Sequence, residues 1–389
     1  MEIKIIKNRS DIGAGTRGSD MGIDAIEIAA INQNNDFFHR YQYIDVKTHN
    51  ESIYHKNTNN FAKRIEHVKE QCQRVADAVK ETIKSGDFPI VLSGDHSSAL
   101  GTMSGIKAAN PEKSIGVIWI DAHADLHSPY TSPSGNIHGM PLAAALNMDN
   151  IAAKINDPGE ITTKYWNELK NIGISGSKIV ATNLVYFGLR DFESAEKKII
   201  DEQEILFFEV EETREKGLEI CIQKALKQLN SCDQIYISFD VDSLDCDRVS
   251  YGTGTPVPIG FSSGEIKELL ARFIATKKVC CVEFTEVNFA TGLRTPQTQR
   301  VGRVGIVTRD YLIVSDSQNL FGFNPARFFT FLLNATTKTD FIARVVAFEF
   351  PRVTVFQPVV WRLFLATVND VLLEHTVVIA DAVTAPRQP

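Results

Sequence analysis

The sequence predicts an α/β protein, a three-layer sandwich built on a mostly parallel eight-stranded sheet. Three observations lead there. Eight short apolar runs are spaced between Ile3 and Glu286. Amphipathic helical patterns fill several of the gaps between them, the alternation expected of a parallel sheet covered on both faces. The acidic and imidazole residues with the most chemical promise fall at or just past the ends of those runs, where ligands bind in such sheets.

Taken in order, the strand candidates are Ile3–Ile6, Tyr41–Val46, Pro89–Leu92, Ile115–Ile120, Leu184–Gly188, Ile205–Phe208, Gln234–Asp240 and Val279–Glu286. Each is short enough for a strand. Between the second and third, "FAKRIEHVKEQCQRVADAVKETIKSG" places Ile65, Val68, Cys72, Val75 and Val79 on one stripe of a helix. Before the eighth, "FSSGEIKELLARFIATKK" opens with serines suited to a helix N-cap.

The chain has 389 residues, 43% hydrophobic and 23% charged, an ordinary composition for a globular protein with one large core or two modest ones. A net charge of −7 argues against a general nucleic-acid binder. The start "MEIKIIKNRS" lacks the apolar stretch of a signal peptide, and no later run is long enough to span a bilayer, so a cytoplasmic protein with no membrane partner is expected. Six cysteines without a CxxC pair fit free thiols in a reducing compartment. Composition changes near residue 289: residues 1–289 hold 22 Lys and 9 Arg, whereas residues 290–389 hold 1 Lys, 9 Arg and ten of the 23 Phe. The expected organisation is a domain over 1–289 and an atypical tail over 290–389, to which no fold is assigned; such a change can mark a domain of separate origin, a fusion or a frameshift.

Four segments carry metal-binding residue types: "VLSGDHSSALG" with His96, "DAHADLHSPY" with Asp121, His123 and Asp125, "YISFDVDSLD" with Asp240 and Asp242, and "CVEFTEVN" with Glu283 and Glu286. In an extended backbone, residues two apart face the same side, so Asp121, His123 and Asp125 converge if the strand continues through them. Carboxylates gathered on one side repel one another unless a cation lies between them. Singly, each segment has a plainer explanation: a loop histidine, or an Asp capping a helix. Jointly, two His and four Asp at strand ends make a nitrogen and oxygen donor set suited to Mn(II) or a similar ion. A pair of such ions about 3.5–4 Å apart would activate water for hydrolysis.

The segments "GAGTRGSDMG", "SGDHSSALG", "WIDAHADLHSPYTSPSGNIHGMP", "YFGLRDFESAE", "SFDVDSLD", "GTGTPVP" and "TEVN", spanning residues 12–288, resemble those of the ureohydrolase family and, within it, the arginases. The dimetal motifs are shared with agmatinases; the loop "SGNIHGMP" resembles the arginase form that grips the amino-acid end of the substrate. The resemblance implies two Mn(II) ions per chain, His96 and Asp125 holding one, His123 and Asp242 the other, with Asp121 and Asp240 bridging. It also implies His138 as proton shuttle, Glu286 as the carboxylate holding the guanidinium, and Ser134 with Asn136 as receivers of the α-carboxylate. His127, Asp191, Glu193 and Thr255 are expected around the substrate. The activity implied is attack of a metal-bridging hydroxide on a small guanidino substrate, L-arginine, to release L-ornithine and urea. A homo-oligomer, trimer or hexamer, is implied as well, unless the tail prevents it.

Four features depart from the family pattern, one of them the segment "DCDRVSYGTGTP", which differs from the commonest arginase loop. His127 stands where many arginases have Asn, and Glu193 where Asp often takes the substrate ammonium. After Asn288 the usual Pro and helix are replaced by Phe289, Ala290 and the Arg- and Phe-rich tail. One sheet face is therefore expected to lose cover, which the tail's Phe and Val could supply. Another amidino hydrolase, of agmatinase or guanidinobutyrase type, and a silent fusion product are the alternatives.

Overall fold

The computed structural model describes residues 2–291, together with the backbone of Arg303–Val307 and Leu312–Asp316. All eight expected strands are present: β1 (Ile3–Asn8), β2 (Gln42–Asp45), β3 (Phe88–Ser93), β4 (Ile115–Ile120), β5 (Leu184–Phe187), β6 (Leu206–Phe208), β7 (Gln234–Asp240) and β8 (Val279–Thr285). They form one sheet in the order β2-β1-β3-β8-β7-β4-β5-β6, and every neighbouring pair is parallel. The chain builds the two flanks first and then inserts β7 and β8 between β3 and β4.

Side chains alternate across the sheet, so each strand feeds two cores. In β4, Ile118 and Ile120 face one core while Ile115, Val117 and Trp119 face the other. Helices Gly22–Asn32, Leu218–Gln228 and Ser263–Ile274 cover the first face. Helices Ile65–Lys84, Ala99–Ala109, Glu160–Lys170 and Ser194–Glu202 cover the second. The stripe Ile65, Val68, Cys72, Val75 and Val79 is buried as its spacing requires. Ser262 caps the helix it was expected to open, accepting the Glu265 N–H while the Glu265 carboxylate takes the Ser262 N–H.

Both sheet faces carry helices, so the expected bare face is not evident among the described residues; Ile28 and Ile31 of helix Gly22–Asn32 do stay exposed. The tail contributes one antiparallel pair, β9 (Arg303–Val307) against β10 (Leu312–Asp316). The expectation that its Phe and Val side chains cover the sheet lies outside the described residues. Among the described residues no helix is long and apolar enough to cross a membrane. All six cysteines are free.

Candidate metal centre and substrate cleft

The four ligand-bearing segments follow β3, β4, β7 and β8, which are four adjacent strands of the sheet. At about 4.8 Å per strand this places them within about 15 Å of one another. His96 opens a short turn after β3, Asp121 follows β4, Asp240 ends β7 and Glu286 follows β8.

Convergence of Asp121, His123 and Asp125 has a different cause from the one expected. β4 stops at Ile120, and the motif is not a regular strand. Asp121 Oδ1 accepts the His123 N–H at 2.7 Å, a local turn, and Asp125 sits in the left-handed region at φ 52°. Glu286 is left-handed too, at φ 62°. Non-glycine residues there cost about 1–2 kcal/mol each, strain typical of sites whose side chains must be aimed.

The side chains form two overlapping groups. Ligand atoms of His96, Asp121 and Asp240 lie within 4.8 Å of one another, and those of Asp121, His123 and Asp242 do the same, so Asp121 belongs to both. His96 Nδ1 is 3.0 Å from Asp121 Oδ2, 3.0 Å from Asp125 Oδ2 and 3.2 Å from Asp240 Oδ2. One ring nitrogen cannot satisfy three carboxylates, and both His96 Nδ1 and Asp125 Oδ2 are buried without a well-formed hydrogen bond. His123 Nδ1 lies 2.9 Å from Asp242 Oδ2. This crowding of lone pairs at one point fits a divalent cation, and the donor types are those of hard to borderline ions.

Electrostatics point the same way. Burial, then the Asp121 charge, pushes Asp125 up to about 6. Burial and the charges of Asp242 and Asp121 hold Asp240 well above the usual carboxylate range. Burial opposes ionisation of Asp121 as well, but bonds from His123 and His96 outweigh it and hold it low. The cluster carries more acid than its imidazoles can neutralise.

A second layer orients the ligands, and composition and spacing did not reveal it. The Trp119 ring stacks on the His96 imidazole at 4.1 Å and 7°, and its Nε1–H donates to Asp121 Oδ2 at 2.9 Å. Ser238 Oγ meets His96 Nε2 at 2.8 Å. A Trp near the end of an apolar strand was the available signal, since a buried indole N–H requires an acceptor. Glu283 belongs behind the site: its carboxylate accepts from Ser93 Oγ at 2.7 Å and Tyr236 Oη at 2.7 Å.

The two groups open onto a cleft of about 160 Å³, lined by His96, His123, Asp125, His127, Ser132–Ser134, Asn136, His138, Gly139, Glu193, Glu196, Asp240, Asp242 and Thr255. Three of the expected residues are placed less directly at the cleft. Asp191 does not line it; its carboxylate approaches His123 Nε2 at 3.6 Å from outside. Thr255 lines it but donates to Asp242 Oδ2 at 2.9 Å, so its hydroxyl serves a ligand first. Glu286 is buried behind the cleft wall, accepting from the His96 N–H at 3.0 Å and Ser19 Oγ at 3.3 Å and pairing with His138 Nδ1 at 3.0 Å. Burial works against charge on the His138 ring, but the Glu286 carboxylate outweighs it and lifts the ring to about 9. Lys63, unnoticed in the sequence, brings a cation to the Ser134–Asn136 loop: its Nζ donates to Asn136 Oδ1 at 3.2 Å and its N–H to Gly135 O at 2.7 Å.

A parallel α/β sheet that gathers imidazoles and carboxylates at four adjacent strand ends fits a metal-dependent α/β enzyme, and the comparisons narrow it. The sequence model of the Arginase family matches residues 2–306. The arginase of Brevibacillus brevis is 34% identical over 291 residues, 72% of this chain and 87% of that protein. The native structure of Bacillus caldovelox arginase superposes with TM-score 0.64 at 32% identity, covering 74% of this chain and 91% of the other. Entamoeba histolytica arginase in complex with L-ornithine gives TM-score 0.62 at 25% identity, covering 75% and 92%. The chain belongs to the arginase family.

Proposed function

We propose that this protein is a Mn(II)-dependent arginase hydrolysing L-arginine to L-ornithine and urea. The observation that carries the reading is the pair of donor groups sharing Asp121, each with its own histidine, at the floor of a cleft whose rim holds Ser134 and Asn136. Relatives named arginase support the choice of substrate. His96 and Asp125 would hold one ion, His123 and Asp242 the other, with Asp121 and Asp240 between them. Bound there, two manganese ions supply a nucleophile from water at neutral pH and neutralise the acids.

The remaining work falls to the chain. Ser134 and Asn136, with Lys63 behind Asn136, receive the α-carboxylate and fix the substrate's register. Glu286 offers the buried negative charge that a guanidinium needs; in pairing with it, the guanidinium takes the place of the His138 ring. His138, held protonated by that carboxylate until then, passes its proton to the departing amine as the C–N bond breaks. Assembly as a homo-oligomer in the cytoplasm is part of the same reading.

The test is urea release by the full chain, loaded with Mn(II), from L-arginine, agmatine and 4-guanidinobutyrate. L-arginine is expected to exceed agmatine in kcat/KM by about a hundredfold or more, since polar groups built for a carboxylate are left unpaired without one. Equal values would move the assignment to a broader amidino hydrolase.

A further inference from the structure

His127 is the departure from the family pattern with the clearest structural consequence. It is buried in the cleft wall, and its own N–H donates to Gly139 O at 3.0 Å, so the ring has a fixed base. Nδ1 lies 3.1 Å from Thr131 Oγ1, and that hydroxyl already accepts the Ser128 N–H at 3.1 Å. Nε2 lies 2.9 Å from Glu193 Oε2. An ionised carboxylate only accepts, so this contact puts a proton on Nε2 whether the ring is neutral or charged. In the neutral ring Thr131 Oγ1 donates to Nδ1, and in the charged ring it accepts the Nδ1–H.

The neighbouring acid is committed as well. Glu196 Oε1 accepts the Leu126 N–H at 3.0 Å, and Oε2 accepts the Glu193 N–H at 3.0 Å, closing the capping box of helix Ser194–Glu202. Glu196 is thus held by backbone N–H groups at both oxygens, while Glu193 has His127 on Oε2. An asparagine at position 127 has a shorter reach from the same backbone and no nitrogen at the Nε2 position.

Resting on the arginase reading above, we propose that His127 is a specificity-determining residue: by pairing with Oε2 it weakens the Glu193 carboxylate as a receiver of the substrate ammonium. The site then holds its substrate through the guanidinium and the carboxylate. Its substrate class is ω-guanidino carboxylic acids, with or without an α-amino group. 5-Guanidinopentanoate, L-arginine without that group, is turned over with kcat/KM within about tenfold of L-arginine.

The experiment measures kcat/KM for L-arginine and 5-guanidinopentanoate in the full Mn(II)-loaded chain, in His127→Asn, in Glu193→Gln and in the double variant. His127→Asn is expected to raise the L-arginine preference by about fivefold or more, through a lower KM for L-arginine, as Glu193 becomes available to the ammonium. Glu193→Gln is expected to lower the preference only in the His127→Asn background. The proposal is overturned if Glu193→Gln alone lowers the preference as far as it does in that background, or if His127→Asn changes both substrates by one factor, the mark of a packing role. Should His127→Asn lose its metal or fold, Glu193→Gln alone decides: an unchanged preference supports the proposal and a collapsed one refutes it. Absence of urea from both substrates in the unmutated chain would instead refute the arginase reading, and this proposal with it; any ratio measured from active enzyme bears on His127 alone.

Discussion

Asp121 is where the site is most exposed to a single change. It belongs to both donor groups and accepts from Trp119 Nε1 and the His123 N–H. Asp121→Ala is expected to remove most bound Mn(II) along with activity, and Asp240→Ala to do the same; metal analysis returning two ions per chain in either variant would refute the bridging roles. His138 offers a separable test. His138→Asn should retain metal and lose about a hundred- to ten-thousand-fold in kcat, the usual worth of a positioned proton donor. Its pairing with Glu286 also predicts a pH effect in the metal-free protein. The folded ring is lifted from 6.5 to about 9, so its contribution is complete below pH 6.5 and lost as pH rises to about 9. Urea unfolding of metal-free wild type and His138→Asn should show a stability difference of a few kcal/mol at most at pH 6 that shrinks by pH 9.5. A difference independent of pH would break the assignment.

Among the elements, the loop carrying Ser134 and Asn136 depends on one glycine. Gly135 has φ 71°, and a Cβ there would lie 1.9 Å from Asn60 O. The same glycine's carbonyl accepts the Lys63 N–H, so the loop and the approach to helix Ile65–Lys84 are packed backbone to backbone. Gly135→Ala must displace one of them. The expected outcome is a KM for L-arginine raised about tenfold or more with Mn(II) content unchanged, because the donor groups follow other strands. Loss of metal in that variant would show that the loop supports the metal site as well. The helices are organised by simpler rules, the Ile65–Val79 stripe and the Ser262 cap each being visible as a spacing of residue types.

Across the whole molecule, the question is where the catalytic body ends. The composition shifts near residue 289, whereas the family match runs to residue 306. Residues 288–291 are tied to the body: Asn288 Nδ2 donates to Arg17 O at 3.2 Å, the Phe289 N–H to Gly18 O at 3.2 Å, and Thr291 Oγ1 to Thr253 O at 2.8 Å. We propose that the chemistry lies within residues 1–306 and that the rest is dispensable for it. A chain ending at residue 306 is expected to keep two Mn(II) per chain and kcat within about threefold of the full chain, while its oligomeric state differs. Loss of metal on truncation would make the C-terminal region part of the functional unit.

The sequence by itself determined the strands, their parallel sense and the identity of the acids and imidazoles, because these are written in local terms. Apolar runs of strand length mark buried strands, and ligand-type residues just past them mark the ligand-binding edge. Periodicity could not say that β3, β8, β7 and β4 are neighbours. That adjacency is a packing outcome of inserting the last two strands into the middle of the sheet, and it is what brings four distant segments to one point. Nor could spacing say how Asp121, His123 and Asp125 converge: the period-two rule ends with the strand, and a turn and a left-handed Asp125 replace it. Trp119 against His96, Glu286 behind His138, Lys63 at the Asn136 loop and His127 on Glu193 were likewise decided by tertiary contact. Each joins residues from separate segments, and a hydrogen bond between such segments leaves no period in either one.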